Sequence, residues 1–375
     1  MNKRAVQRGW TAFRQALVCG YLLTSLTSSA QPAAEDYRAL NQALLTQHVL
    51  PRYQMLATTA ASLAADTAAA CADGRVEDAE MTRLQTAYGD ASDAWQSIQH
   101  VRFGPAELFM RGTRLAFWPD PRGAADSQLR ALLQSGDPAR LAPDRFADNG
   151  VAVQGFPALE RLLFADSSEV LASPSAEAAY RCQVLTAMTR GISDMTAGLA
   201  ADWRSFVAEL EAGDGAGGFY ETPAEVTLDL FKSLYTSVEL AADHKLARAI
   251  GTRIEDARPQ QTEAWRSQRS LSNIRLNLAA GAAMFGGEAA AVEGGPRFAD
   301  LVDNDLRVLL SRAFRQTLAT AESLPAPLEV ALTDPDHRPQ VEKLLREMLA
   351  LKTLLAQRLP PALGIPLGFN ALDGD

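Results

Sequence analysis

The chain has 375 residues, 47% hydrophobic and 22% charged, with a mean hydropathy of -0.09. That balance excludes a disordered polymer, a collagen-like chain and a polytopic membrane protein. Lys and Arg total 36 against 45 Asp and Glu, a net charge of -9, which leaves no basic footprint for nucleic acid. Aromatics are only 7% and Ala is abundant, favouring helix over strand.

Lys3, Arg4, Arg8 and Arg14 precede a mostly apolar run over 16–26, followed by Ser28-Ser29-Ala30. A basic head, a short apolar centre and a small-residue exit make residues 1–30 an expected signal peptide, cleaved near Ala30, and the protein an expected periplasmic one. The apolar run is short for a membrane span. Cys19 lies inside that run behind Ala16-Leu17-Val18, a poor lipobox, so no lipid anchor is expected. Removal of 1–30 leaves 32 basic and 45 acidic residues, a net charge of -13. Cys71 and Cys182 remain, as one disulfide of an exported chain or as two buried thiols.

The remainder predicts helix after helix. Residues 37–70 form a helical opening that Pro51 kinks or divides. Met81, Leu84, Tyr88, Ala91, Trp95 and Ile98 make one apolar stripe on a helix over 80–100. The stretch 103–155 is rich in Pro, Gly and Asp, an irregular insertion that is either a lid over a bundle or a functional segment. Val184, Met188, Ile192, Met195, Leu199, Trp203, Phe206 and Leu210 stripe a long helix, entered through Ser173-Pro174-Ser175 and ended by Gly213. The run Gly213-Asp214-Gly215-Ala216-Gly217-Gly218 divides the chain, and Thr222-Pro223 starts the next helix. Trp265 is expected on a helix, as is the final stripe through Val341, Leu344, Leu345, Met348, Leu349 and Leu355. The expected fold is all-α: an N-terminal helical bundle over 31–213 carrying the insertion, and a C-terminal bundle over 214–375.

Arg266, Arg269, Ser270, Asn273 and Asn277 fall at helical spacing as one polar stripe. Arg, Ser and Asn make directed hydrogen bonds, and Arg suits carboxylate or phosphate. The stripe is either a solvated face or the wall of a cleft shared with Arg111, Arg114 and Glu160, and Trp118 is either a core or interface aromatic or a ligand platform. His100 is a candidate metal ligand or a buried, hydrogen-bonded histidine. Asp373-Gly374-Asp375 is a solvated tail or a cation contact.

Several segments carry a wider resemblance. Phe103-Gly104-Pro105, the run Arg111 to Asp120, Gly155-Phe156-Pro157-Ala158-Leu159-Glu160, the run Trp265 to Ile274 and the tail from Leu367 resemble the imelysin-like family of exported bacterial proteins. The resemblance implies two helical bundle-like domains with a site between them, a periplasmic or surface location, and links to iron regulation and uptake. It implies iron or another divalent metal as cofactor, and other periplasmic iron-uptake components as partners. Founding members are described as metallopeptidases with a Gly-x-His-x-x-Glu motif.

Here Gly155 and Glu160 fit that motif, but Pro157 stands at the His position and has no donor side chain. None of His48, His100, His244 and His337 begins a His-Glu-x-x-His motif. A binding or accessory role is therefore expected ahead of the alternative, a divergent metallopeptidase using His100 and Glu107 as replacement ligands. Pro157 suits the first turn of a helix. Glu160 is then either an ion-pair partner of Arg114 or another arginine, or a ligand contact, and with His100 a candidate metal ligand.

Overall fold

A computed structural model describes residues 31–213, 218–289, 294–325 and 327–365. The expected signal peptide, most of the Gly-rich divider and the acidic tail lie outside these. The fold is all-α, with no strand among the described residues. The chain from Gln31 onward forms one compact unit. Its long helices are α1 (Ala34–Leu44), α2 (Leu50–Ala70), α3 (Asp78–Gln96), α4 (Ala124–Ser135), α5 (Phe156–Phe164), α6 (Ala176–Ala212), α7 (Pro223–Glu239), α8 (Ser270–Phe285), α9 (Asn304–Ser323) and α10 (Arg338–Leu363).

Helices α2, α3, α5 and α6 pack as one set, and α1, α7, α8, α9 and α10 as another. Helix α1 therefore stands with the helices that follow Gly213. The Tyr37 hydroxyl donates to the Leu363 carbonyl at 2.6 Å, and Asn41 Nδ2 donates to the Pro223 carbonyl at 2.8 Å. A π-helical turn, Leu45–Val49, joins α1 to α2. Pro51 falls in the first turn of α2, and the preceding residues remain helical. The wider turn accommodates the ring and the missing N–H, so Pro51 neither breaks nor ends the helix.

Local signals explain most boundaries. The Ser175 hydroxyl accepts from Ala178 N at 3.1 Å and starts α6, and Gly213 ends it at φ 84. Thr222 precedes Pro223 at the start of α7. The α6 stripe is the core of its set: Trp203 stacks on Tyr53 at 5.3 Å and meets Phe103 edge-on at 5.2 Å, each pair worth about 0.5–1.5 kcal/mol beyond burial. The stripe helix ends at Gln96, and 97–100 form a turn. The insertion is more ordered than expected. It contains α4, whose first N–H groups at Ala124 and Ala125 bond to the Asp120 carboxylate at 2.8 Å each. The Trp118-Pro119 bond is cis.

Cys71 and Cys182 meet, but as free thiols; the expected disulfide is not formed. Cys71 ends α2, and Cys182 is buried in α6. A hydrogen bond between the thiols raises the pKa of Cys71 and lowers that of Cys182. No described helix is long and apolar enough to cross a membrane.

Candidate functional site

Helix α5 begins where the insertion returns to the bundle. Gly155 lies against the backbone of residues 114 and 115, close enough that a Cβ would fall well under 3.0 Å from both carbonyl oxygens. Pro157 occupies the first turn, as expected. Glu160, on the same helix, is 3% exposed. Its carboxylate accepts from the Ser267 backbone N–H at 2.8 Å and from the Ser267 hydroxyl at 2.7 Å. Burial raises its pKa, opposed by the Ser267 donors and the nearby Arg266 and Arg161. The expected ion pair with Arg114 is absent: Arg114 Nε donates to Gln154 Oε1 at 2.8 Å instead.

Ser267 belongs to a loop that the sequence reading had assigned to helix. Ala264 and Gln268 adopt left-handed φ of 57° and 58°, each at a cost of about 1–3 kcal/mol. Helix α8 starts only at Ser270. The polar stripe is therefore broken after its first members. Arg266 stacks on Trp265, with its guanidinium 4.3 Å from the ring centre, and reaches Asp126 at 3.6 Å. Asp126 also holds Arg161 at 2.5 Å. Arg269 pairs with Asp93 on α3, packed over Gly89, where a Cβ would come within 2.9 Å of the guanidinium. The Ser270 hydroxyl donates to the Glu263 carbonyl at 2.7 Å and contacts Glu329.

Beneath this loop lies a buried ion pair. Lys245 Nζ is 2.8 Å from the Glu263 carboxylate, and both are under 10% exposed. Lys245 also donates to Gln96, and Asn273 Nδ2 donates to Glu263 at 2.8 Å. Asn277 Nδ2 donates to the Gln96 carbonyl at 2.7 Å. Burial lowers the Lys245 pKa, and Glu263 opposes that shift. Lys245 sits on a second π-helical turn, Leu240–Leu246, a geometry common at functional sites. The network joins the two helix sets.

Two adjoining cavities, about 570 and 430 Å³, flank this network. Trp95, Trp118, Pro119 and Glu263 line both. The second cavity brings together Glu160, Arg266, Asn273 and Trp118 from the predicted set. It adds Arg161, Trp265, Arg248 and Arg258, which sequence reasoning missed. Arg269 and Ser270 are not among the residues lining it and make the contacts given above. Arg111 and Arg114 face a separate recess that Phe109 also lines. Arg111 is paired there with Asp202 at 2.6 Å.

His100 is not beside Glu160. It is buried against His48, with 3.1 Å between the Nε2 atoms. The two do not form a shared metal set, and no group of three or more His, Cys, Asp or Glu suited to a metal occurs among the described residues. Burial pushes the His100 pKa down to about 3, and His48 also falls well below the ordinary range, with neighbouring Arg52 adding to both shifts. Histidines with lowered folded-state pKa values stabilise the fold fully above about pH 6.5 and lose that contribution as pH falls towards the folded values. The difference in unfolding free energy between wild type and His48→Asn/His100→Asn is expected to shrink on acidification below pH 6.5. The slope is about 1.4 kcal/mol per pH unit for each histidine. Urea titrations at pH 7 and 5 measure it; a pH-independent difference would contradict two buried neutral imidazoles.

These features define an all-helical protein with a polar cleft walled by two helix sets. The family model for Imelysin (Peptidase M75) matches residues 49–357, and the chain belongs to that family. The fold is similar to an imelysin-like protein from Psychrobacter arcticum 273-4, with TM-score 0.73 at 22% identity, covering 90% of this chain and 98% of that one. It is also similar to a protein of Parabacteroides distasonis ATCC 8503 assigned as an iron-regulated protein A precursor. There the TM-score is 0.70 at 16% identity, with 88% and 96% covered. Among curated proteins, none matches the sequence.

Proposed function

We propose that this protein is an exported binding protein of bacterial iron uptake that holds an iron species in the cleft between its helix sets. The observation that carries the reading is the convergence of Glu160, Asn273, Arg266 and Trp118 on one cavity of about 430 Å³. Polar groups lining a concave site beside aromatic residues suit ligand recognition. The basic head and apolar run of residues 1–30 support export. The iron-regulated designation of the Parabacteroides distasonis protein supports the iron context. The peptidase alternative draws no support from its replacement ligands: Glu107 lines the first cavity, Glu160 the second, and His100 neither.

Calorimetric titration of the mature chain with ferrous and ferric iron, each bare and as a carboxylate chelate, tests the proposal. Binding of at least one form is expected, weakened about tenfold or more in Glu160→Ala. Absence of heat and of thermal shift with every form rejects it.

A further inference from the structure

The cleft mouth is cationic, although the chain as a whole is acidic. Four arginines, Arg161, Arg248, Arg258 and Arg266, line the second cavity. Arg161 and Arg266 share Asp126. Arg248 and Arg258 are exposed, and their side chains have no hydrogen bond or ion pair among the described residues. Of the acids that line the same cavity, Glu263 is neutralised by Lys245, Asp120 caps α4, and one oxygen of Glu160 is held by Ser267. Two uncommitted guanidinium groups at a pocket rim, in a protein of net charge -9, are a local field opposite to the global one.

From this arrangement we infer that the cleft recognises an organic polycarboxylate, with Arg248 and Arg258 as the residues that read its carboxylates. A bare cation would meet this rim as a like charge. A guanidinium instead matches a carboxylate in two parallel hydrogen bonds. The cavity volume exceeds what a single inorganic oxyanion fills, and Trp118, Pro119 and Trp265 give its lining apolar surface for a carbon skeleton. The inference rests on the binding reading above and specifies its ligand: iron arrives in the cleft as part of an anionic carboxylate complex, or the polycarboxylate binds free.

The test titrates wild type and Arg248→Gln/Arg258→Gln with citrate, ferric citrate and inorganic phosphate at two salt concentrations. Both substitutions are at exposed positions, so the fold is expected to survive, checked by melting. Wild type is expected to bind citrate, ferric citrate or both, more weakly at high salt. The double variant is expected to lose about tenfold or more. Binding of citrate alone assigns the free anion, and stronger binding of ferric citrate assigns the chelate. No binding of either carboxylate, equal binding of phosphate, or unchanged affinity in the double variant overturns the inference. Bare-iron binding sensitive to Glu160→Ala in the same experiments leaves the broader reading standing while the carboxylate inference fails. Citrate binding without any iron response does the reverse.

Discussion

Gly155→Ala is expected to lower the unfolding free energy by about 3 kcal/mol or more, at the upper end of the cost of overpacking. The added methyl would collide with the carbonyl oxygens of Arg114 and Leu115. Backbone at this point cannot swing away as a flexible side chain would. Gly155 precedes α5 directly, so relief by shifting the helix would also displace Glu160 from Ser267. Urea denaturation monitored by circular dichroism measures the loss. A change smaller than about 1 kcal/mol would mean that the insertion does not lie against α5 as described.

Lys245→Met is expected to cost about 3–5 kcal/mol, the range for removing one partner of a buried ion pair. The Glu263 carboxylate would stay buried with Asn273 Nδ2 as its remaining donor, and Gln96 would lose its ammonium donor. Adding Glu263→Gln keeps an acceptor for Asn273 and removes the orphaned charge. The double variant is therefore expected to be more stable than Lys245→Met alone, a coupling that a denaturation double-mutant cycle resolves. Strictly additive effects would show that the two groups do not compensate each other.

The periodic parts of the fold were legible in the sequence. Stripes through Tyr88 and Trp95, and through Met188 and Trp203, became the buried faces of α3 and α6. Ser175 and Gly213 marked helix ends by their ordinary chemistry, while Thr222 holds the N-cap position with its hydroxyl on Glu225 and not on the backbone. Pro157 and Glu160 were placed correctly on α5. What failed was the segment before α8. Its spacing is helical, yet Ala264 and Gln268 take left-handed backbone without the glycine or asparagine that signals it. The partner of Glu160 is 107 residues away in the chain, a distance that no local pattern encodes.

Other members of the site left a fainter trace. Lys245 lies between the apolar Leu240-Ala241-Ala242 and Leu246, with Asp243 and His244 beside it, and a charge on a buried face asks for a partner. That signal was present but does not name Glu263. Gly89, too, reads as a weak point in α3 until Arg269 is seen to occupy the space above it. The sequence left the cysteines open as a disulfide or as two thiols; both line one recess as free thiols.

The passage of one nearly unbroken rod from α1 through the Leu45–Val49 turn into α2 has a mechanical consequence. A clamshell needs a pliant joint, and here the first connection between the halves is stiff. Along this connection the two helix sets are thus braced against spreading.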